Sequence, residues 1–529
     1  MKLAAIKTHF ARWREWELNP IVVKELRQAV RSWAVTGMLL LLLIVLLVVS
    51  LAVLVNQSFE VKINDQLGGD LFEALLAILA GAGILFIPLY LGIRVAAERQ
   101  DNQPDLLYIS TLSPARIVFG KFLCGAYMAL LFFSACLPFM ALTNLLRGVD
   151  LPTVFLLLAM LYVVVCNVNL AAIFIACLPV SRLFKILLSL GGFIFLFYLL
   201  VAVVASAYML MRSGVGAMLF QHDFWINCLT FLALVLTAGG LFFVLAVALI
   251  SPPSANRAWW PRLYLTLFWL LGGALAGVWA LSASGPDLIF TWVAPADLLL
   301  VAALLVCISN HDRLSVRVRR KIPRNGLKRL PAFGLYNGAA GGLLWVALLT
   351  VLTFLETRLF FWLADSGAWS FIHRGPASAV YVRGGPGLAF PGMTGSSGTF
   401  DAYAGWYIPM MLYLFAYALF ALFLQRKFLS RRAPKWAGII AVFITALTAL
   451  GTNIVLFFLN ELTWQSADHL QLGNAFNLMG AASEGMQMLH ILFALFLLLI
   501  ALALNTPWFF TQWRNFRPPA GPSPALEQP

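Results

Sequence analysis

The chain has 529 residues, of which 62% are hydrophobic and 11% charged, against about 25% charged residues in ordinary soluble domains. A mean hydropathy of +0.89 excludes a soluble globular protein, because the apolar residues fall in runs of roughly 20, enough to cross a ~30 Å hydrocarbon core as helix. The formal net charge of +14 would point to nucleic acid in a soluble protein; in a membrane protein it asks which loops hold the positive residues, and no nucleic-acid partner is expected.

Twelve apolar runs bounded by charge, Pro or Gly are expected to span the bilayer: 34–55, 71–93, 122–143, 153–178, 186–210, 223–250, 263–283, 288–308, 335–355, 405–424, 436–459 and 486–506. They are helices, because a membrane strand alternates in polarity whereas Met38 to Val49 (MLLLLLIVLLVV) is apolar on every side. The expected fold class is therefore all-α and polytopic. The first run is too long for the h-region of a cleaved signal and stays in the membrane. With twelve spans the termini share a side, and that side holds 30 of the 36 Lys and Arg residues; Lys62, Arg147, Arg212, Arg358, Arg374 and Arg383 lie opposite. The bias places both termini in the cytoplasm, as expected for the inner membrane of a bacterium. The six cysteines lie in or beside apolar runs without CxxC spacing and read as small hydrophobes of helix packing.

In chain order, residues 1–33 form a cytoplasmic N-terminus that contains Asn19 to Trp33 (NPIVVKELRQAVRSW). On a helix, Val22, Leu26, Ala29, Val30 and Trp33 share one side, and Lys24, Arg27, Gln28 and Arg31 share the other. Asn19 is suited to the N-cap and Pro20 to the first helical position. Glu25 comes early and the cations later, as the helix dipole favours. The spacing predicts an interfacial elbow helix that turns into the first span and contacts membrane lipid.

Residues 34–250 form a first set of six spans. Between its second and third runs lies Arg94 to Lys121 (RVAAERQDNQPDLLYISTLSPARIVFGK). Polar residues cluster from Glu98 to Asp105, apolar Leu106, Leu107 and Ile109 follow, and Ser113 is placed to cap a helix opened by Pro114. This predicts a short cytoplasmic helix with a sharp return to the bilayer, a shape suited to receiving force from a soluble partner. In the fourth run, Asn167 and Asn169 are expected to form interhelical hydrogen bonds or to line a pathway.

Residues 251–262 (SPPSANRAWWPR) form a cytoplasmic linker, and 263–506 hold a second set of six spans. Asp297 is the one carboxylate read as lying well inside a span; it faces either the bundle interior, as a pathway residue, or the outer interface if the helix starts after Pro295. The basic loop 309–331 is either a contact for anionic headgroups or a cytoplasmic partner, or a topology anchor. The outward loop 356–404, rich in Gly, Pro and Ser, is expected to be a mobile cap. Residues 507–529 form a cytoplasmic tail that reads as disordered from Arg517 onward. His490, Glu484 and His469 lack metal-ligand spacing, and no metal site is expected.

Two of these segments resemble the membrane-spanning permease subunits of type 2 ATP-binding cassette (ABC) exporters. The elbow matches at Asn19, Pro20, Lys24, Glu25, Leu26 and Arg27. The cytoplasmic segment matches at Glu98, Arg99, Leu106, Leu107, Thr111, Leu112, Ser113, Pro114, Ile117, Gly120 and Lys121; Pro138 and Gly148 add a third similarity. The resemblance covers roughly 15–260, with Gln103-Pro104 standing where the family usually has Gly-Thr, and the second half matches nothing comparable. It implies a permease subunit of an ATP-driven exporter whose segment Glu98, Arg99, Asp105, Leu107, Thr111, Ser113, Pro114, Gly120 and Lys121 couples to a separate ABC ATPase. A second permease copy is a further possible partner. ATP and magnesium are expected on that ATPase, with no cofactor here: the phosphate-binding loop GxxxxGK[ST] is absent, because Gly120-Lys121 is followed by Phe122. A membrane-embedded glycosyltransferase-like enzyme on a lipid-linked substrate, with Glu60, Asp65 and Asp70 in its first outward loop, and a secondary transporter are the competing readings.

Overall fold

A computed structural model describes residues 20–59, 67–101, 113–146, 149–178, 182–212, 218, 220–252, 254–282, 289–310, 312, 314–365, 396–429, 435–459, 472–475 and 484–518. All regular structure among them is helical. Ten of the helices are long and apolar enough to cross a membrane, so the chain is an all-α, multi-pass membrane protein. The expected seventh and eighth runs are also helical, at Trp259–Ser282 and Phe290–Ile308, but are not among the ten. Two compact units divide at 252–253, within the expected linker.

The first unit contains α1 (Pro20–Val30), α2 (Trp33–Phe59), α3 (Leu67–Gly81), a π-helical turn (Ala82–Phe86), α4 (Ile87–Asp101), α5 (Pro114–Leu145), α6 (Leu151–Cys177), α7 (Arg182–Arg212) and α8 (His222–Ile250). Its core gathers Leu46, Leu71, Phe72, Leu75, Leu79, Phe132, Met140 and Val165 around α3. Along α2, Leu42 and Leu46 are buried, while Leu40, Leu41, Ile44, Leu47 and Val48 face outward, a polarity suited to hydrocarbon rather than water. The π turn brings Gly83 against α6, where an added Cβ would lie 2.8 Å from Val165 Cγ2. As expected, Ser113 caps α5: its Oγ accepts from the Arg116 N–H at 3.4 Å, and Pro114 occupies the first turn.

The second unit contains α9 (Trp259–Ser282), α10 (Phe290–Ile308), α11 (Val316–Arg319), α12 (Gly326–Leu335), α13 (Ala339–Asp365), α14 (Ser396–Phe428), α15 (Lys435–Ala446), a π turn (Leu447–Gly451), α16 (Thr452–Leu459) and α17 (Glu484–Asn515). α10 packs on α13, and α14 packs on α15 and α17. His490 of α17 is buried with Nδ1 3.2 Å from the Tyr413 hydroxyl of α14, which accounts for it as a packing residue.

Three expectations about segments change. The basic loop 309–331 is folded: α11, the turn after it and α12 contribute Val318, Ile322, Ala332 and Phe333 to a small core shared with Phe516, and Phe509 and Trp513 of α17 pack on it. Buried Arg262 ties it down by donating to the carbonyls of Gly334 at 2.7 Å, Tyr336 at 2.6 Å and Gly338 at 3.0 Å. The outward loop 356–404 is shorter than the apolarity suggested, because α13 continues to Asp365 and α14 begins at Ser396; 366–395 lie outside the described residues. The last helix runs on to Asn515, and of the tail only 516–518 follow it within the described residues.

Candidate functional site

The residues singled out from sequence converge at one end of the first unit, where α1, α4 and α5 meet. α1 buries Val22, Glu25 and Ala29, while Lys24, Arg27, Gln28 and Arg31 are exposed. The polar side is therefore as expected, but the opposite side is not wholly apolar and not wholly given to lipid. It packs on α5 and carries a carboxylate that is only 5% exposed. The helix also ends sooner, at Val30, with Arg31 and Ser32 forming a break before α2. Ser32 restarts the ladder by accepting from the Val35 and Thr36 amides at 3.1 Å, so Trp33 belongs to the first span and not to the elbow. Asn19 lies outside the described residues, and Pro20 opens the helix.

Glu25 is buried because it has partners. Lys121 of α5, 8% exposed, donates from Nζ to Glu25 Oε1 at 3.0 Å and to Glu98 Oε2 of α4. Arg94 of α4 lies 3.8 Å from the second Glu25 oxygen. It also donates to the Tyr90 hydroxyl at 2.9 Å and to Gln28 Oε1. Exposed Lys24 attracts Glu98 from the rim. Two carboxylates and two cations thus balance, with Glu25 and Lys121 buried and Arg94 and Glu98 half-buried, which is the condition for charges to be tolerated away from water. Of the coupling-segment residues, Glu98 and Lys121 form this cluster, Ser113 and Pro114 start α5, and Gly120 is buried beside Lys121. Asp105, Leu107 and Thr111, and the side chain of Arg99, lie outside the described residues. Lys121, at the end of the coupling segment, is thus enclosed between two acids of its own chain.

The polar region continues one turn deeper. Asn169 of α6 lies against Gly125 of α5, where an added Cβ would be 3.2 Å from Nδ2. Asn169 is fully buried, and both its amide atoms lack a hydrogen-bond partner among the described residues, contrary to the expected interhelical bond. Asn167 does make one, donating from Nδ2 to the Val235 carbonyl of α8 at 2.6 Å.

In the second unit, Asp297 is 6% exposed and lies in the bundle, within electrostatic reach of Tyr403 and Tyr407 of α14; its helix starts at Phe290, before Pro295. Nor is it the one carboxylate inside a span: α13 runs past Glu356, whose Oε1 would lie 1.9 Å from a Cβ at Gly273 of α9. The sequence reading missed Arg94, Tyr90 and Gln28 as well. The signal was present, since Tyr90, Arg94 and Glu98 recur at i, i+4 and i+8 on one helical face.

Chemically, the cluster at Glu25, Arg94, Glu98 and Lys121 is a fastening. It joins three helices through charge-assisted bonds. No group of three or more His, Cys, Asp or Glu residues that could hold a metal occurs among the described residues. No family model, curated protein or solved structure matches the chain.

Proposed function

We propose that the chain is the permease subunit of an ATP-driven ABC exporter, moving its substrate across the cytoplasmic membrane of a bacterium when coupled to a separate ATPase that binds ATP and magnesium. The observation that carries this reading is the convergence of Glu25, Glu98 and Lys121 in one ion-paired cluster. Each comes from a different stretch of the resemblance: the elbow, the start of the cytoplasmic segment and its Gly-Lys end. An arrangement that fastens the elbow to both flanks of that segment suits a device that receives movement from a soluble motor and passes it to the spans. In this reading the termini are cytoplasmic and the exposed Lys24 and Arg27 face lipid headgroups.

The test is affinity isolation of the full-length chain from its native membranes, with mass spectrometry of what accompanies it. The expected companion is a subunit bearing a Walker A loop and an ABC signature. It is lost when Glu98 and Arg99 are charge-reversed and 100–112 removed. Retention of the ATPase by that variant, or its absence from the wild-type isolate, would overturn the proposal.

A further inference from the structure

We propose that Asp297 is a proton-binding site, holding a proton as a neutral carboxylic acid and coupling it to the packing of α10 on α14. This inference is independent of the exporter reading.

It rests on three observations. Asp297 sits in α10, two residues after Pro295 and eleven before the helix end, with its Oδ1 buried and without a hydrogen-bond partner among the described residues. No Lys, Arg or His among those residues pairs with it. The groups that approach it from α14 are Tyr403 and Tyr407. From α13, the carboxyl of Glu356 lies toward Gly273 of α9 and the exposed Arg358 lies over the Phe400 ring of α14. Arg262, the cation of α9, is engaged with three backbone carbonyls, and α15 brings no ionisable residue between 436 and 446. An anion here would therefore be unpaired inside a membrane bundle, the costliest arrangement for a carboxylate.

The decisive contact is on Tyr407. Its hydroxyl bonds the backbone carbonyl of Thr350 at 3.0 Å, and a carbonyl can only accept, so the one hydroxyl hydrogen of Tyr407 is spent there. Toward Asp297 the tyrosine oxygen can offer only lone pairs. At Tyr407 an ionised carboxylate would face lone pairs with lone pairs, whereas a carboxylic acid donates its O–H to them; the buried Tyr403 hydroxyl, without a partner among the described residues, is the one donor on α14 beside Asp297 that is not already spent. Tyr407 and Thr350 also line an apolar cavity of about 560 Å³ bounded by Phe354, Met411 and Leu412, and its lining holds no charged residue that could pair with a carboxylate. Deprotonation therefore requires α10 and α14 to part or a cation to enter.

Infrared difference spectroscopy of the full-length protein in lipid nanodiscs, with aspartate carbon-13 labelled at the side-chain carboxyl, tests this. At neutral pH the wild type is expected to show the carbonyl band of one protonated aspartate, which Asp297→Asn abolishes. Tyr407→Phe, which removes the acceptor, is expected to shift that band upward without abolishing it. Only carboxylate bands at neutral pH, or a protonated band unchanged in Asp297→Asn, would overturn the proposal. So would a band that appears only when sodium and potassium are withdrawn, which would mark a metal-cation site. If Asp297→Asn fails to fold, the Tyr407→Phe shift decides in its place, an unmoved band counting against the proposal.

Discussion

Lys121 illustrates how much a single side chain depends on its surroundings. Its ammonium is enclosed by Glu25 and Glu98, and truncating it leaves two carboxylates facing one another with only Arg94 and the rim cation Lys24 for compensation. Breaking a buried pair from one side costs about 3–5 kcal/mol. Lys121→Met is therefore expected to lower the melting temperature in detergent sharply, and adding Glu25→Gln to recover part of the loss; an additive double variant would show that the two residues do not interact. Each motif was readable locally, through the Asn-Pro start of the elbow and the Ser-Pro start of α5. Their meeting was not, because Glu25 and Lys121 are 96 positions apart and no helical period connects them. Asn169 is the opposite case: its burial was foreseeable from its apolar surroundings, its lack of a partner was not.

At the scale of elements, the existence of the helices followed from apolar run length, and their ends did not. α13, α14 and α17 all run beyond the expected spans. Hydropathy marks where the solvent changes, whereas a helix ends where its backbone hydrogen bonds end. Glu356 was assigned to a loop for this reason. Close approaches were equally hidden, being properties of two elements together. At Gly341 an added Cβ would lie 1.9 Å from the Phe333 carbonyl oxygen, and at Gly342 it would lie 2.5 Å from Arg262 Nη2. Both glycines open α13, Gly341 where α12 lies across it and Gly342 where Arg262 of α9 and Cys307 of α10 approach. Since the neighbour of Gly341 is backbone, Gly341→Ala must displace α12, at about 1–3 kcal/mol for overpacking. Limited trypsinolysis is expected to cut the Arg- and Lys-rich stretch 317–329 faster in that variant than in the wild type. Equal rates would mean that α12 tolerates the methyl group.

For the whole molecule, composition and charge distribution spoke most clearly. The apolar excess resolves into ten helices suited to a bilayer, and the net positive charge is concentrated on alternate loops. That alternation predicts sidedness. Phe220 and Leu327 are each 93% exposed and are expected on opposite faces. In a background without the six native cysteines, Phe220→Cys should react with an impermeant thiol reagent added outside intact cells, and Leu327→Cys only after the membrane is opened. Labelling of both from the same side would break the topology. The second unit was least legible, because its polar groups are scattered singly through apolar helices, where spacing carries little information.

The enclosed lysine also has a history. In the proposed topology, while the chain is being threaded into the bilayer and before α1, α4 and α5 have met, Lys121 and Arg94 are free cations and count toward the bias that would keep their loop inside. Once the helices assemble, Glu25 and Glu98 silence both. The same two residues thus act first as signposts of direction and afterwards as rivets. A substitution there has two separable consequences, one during biogenesis and one in the finished protein.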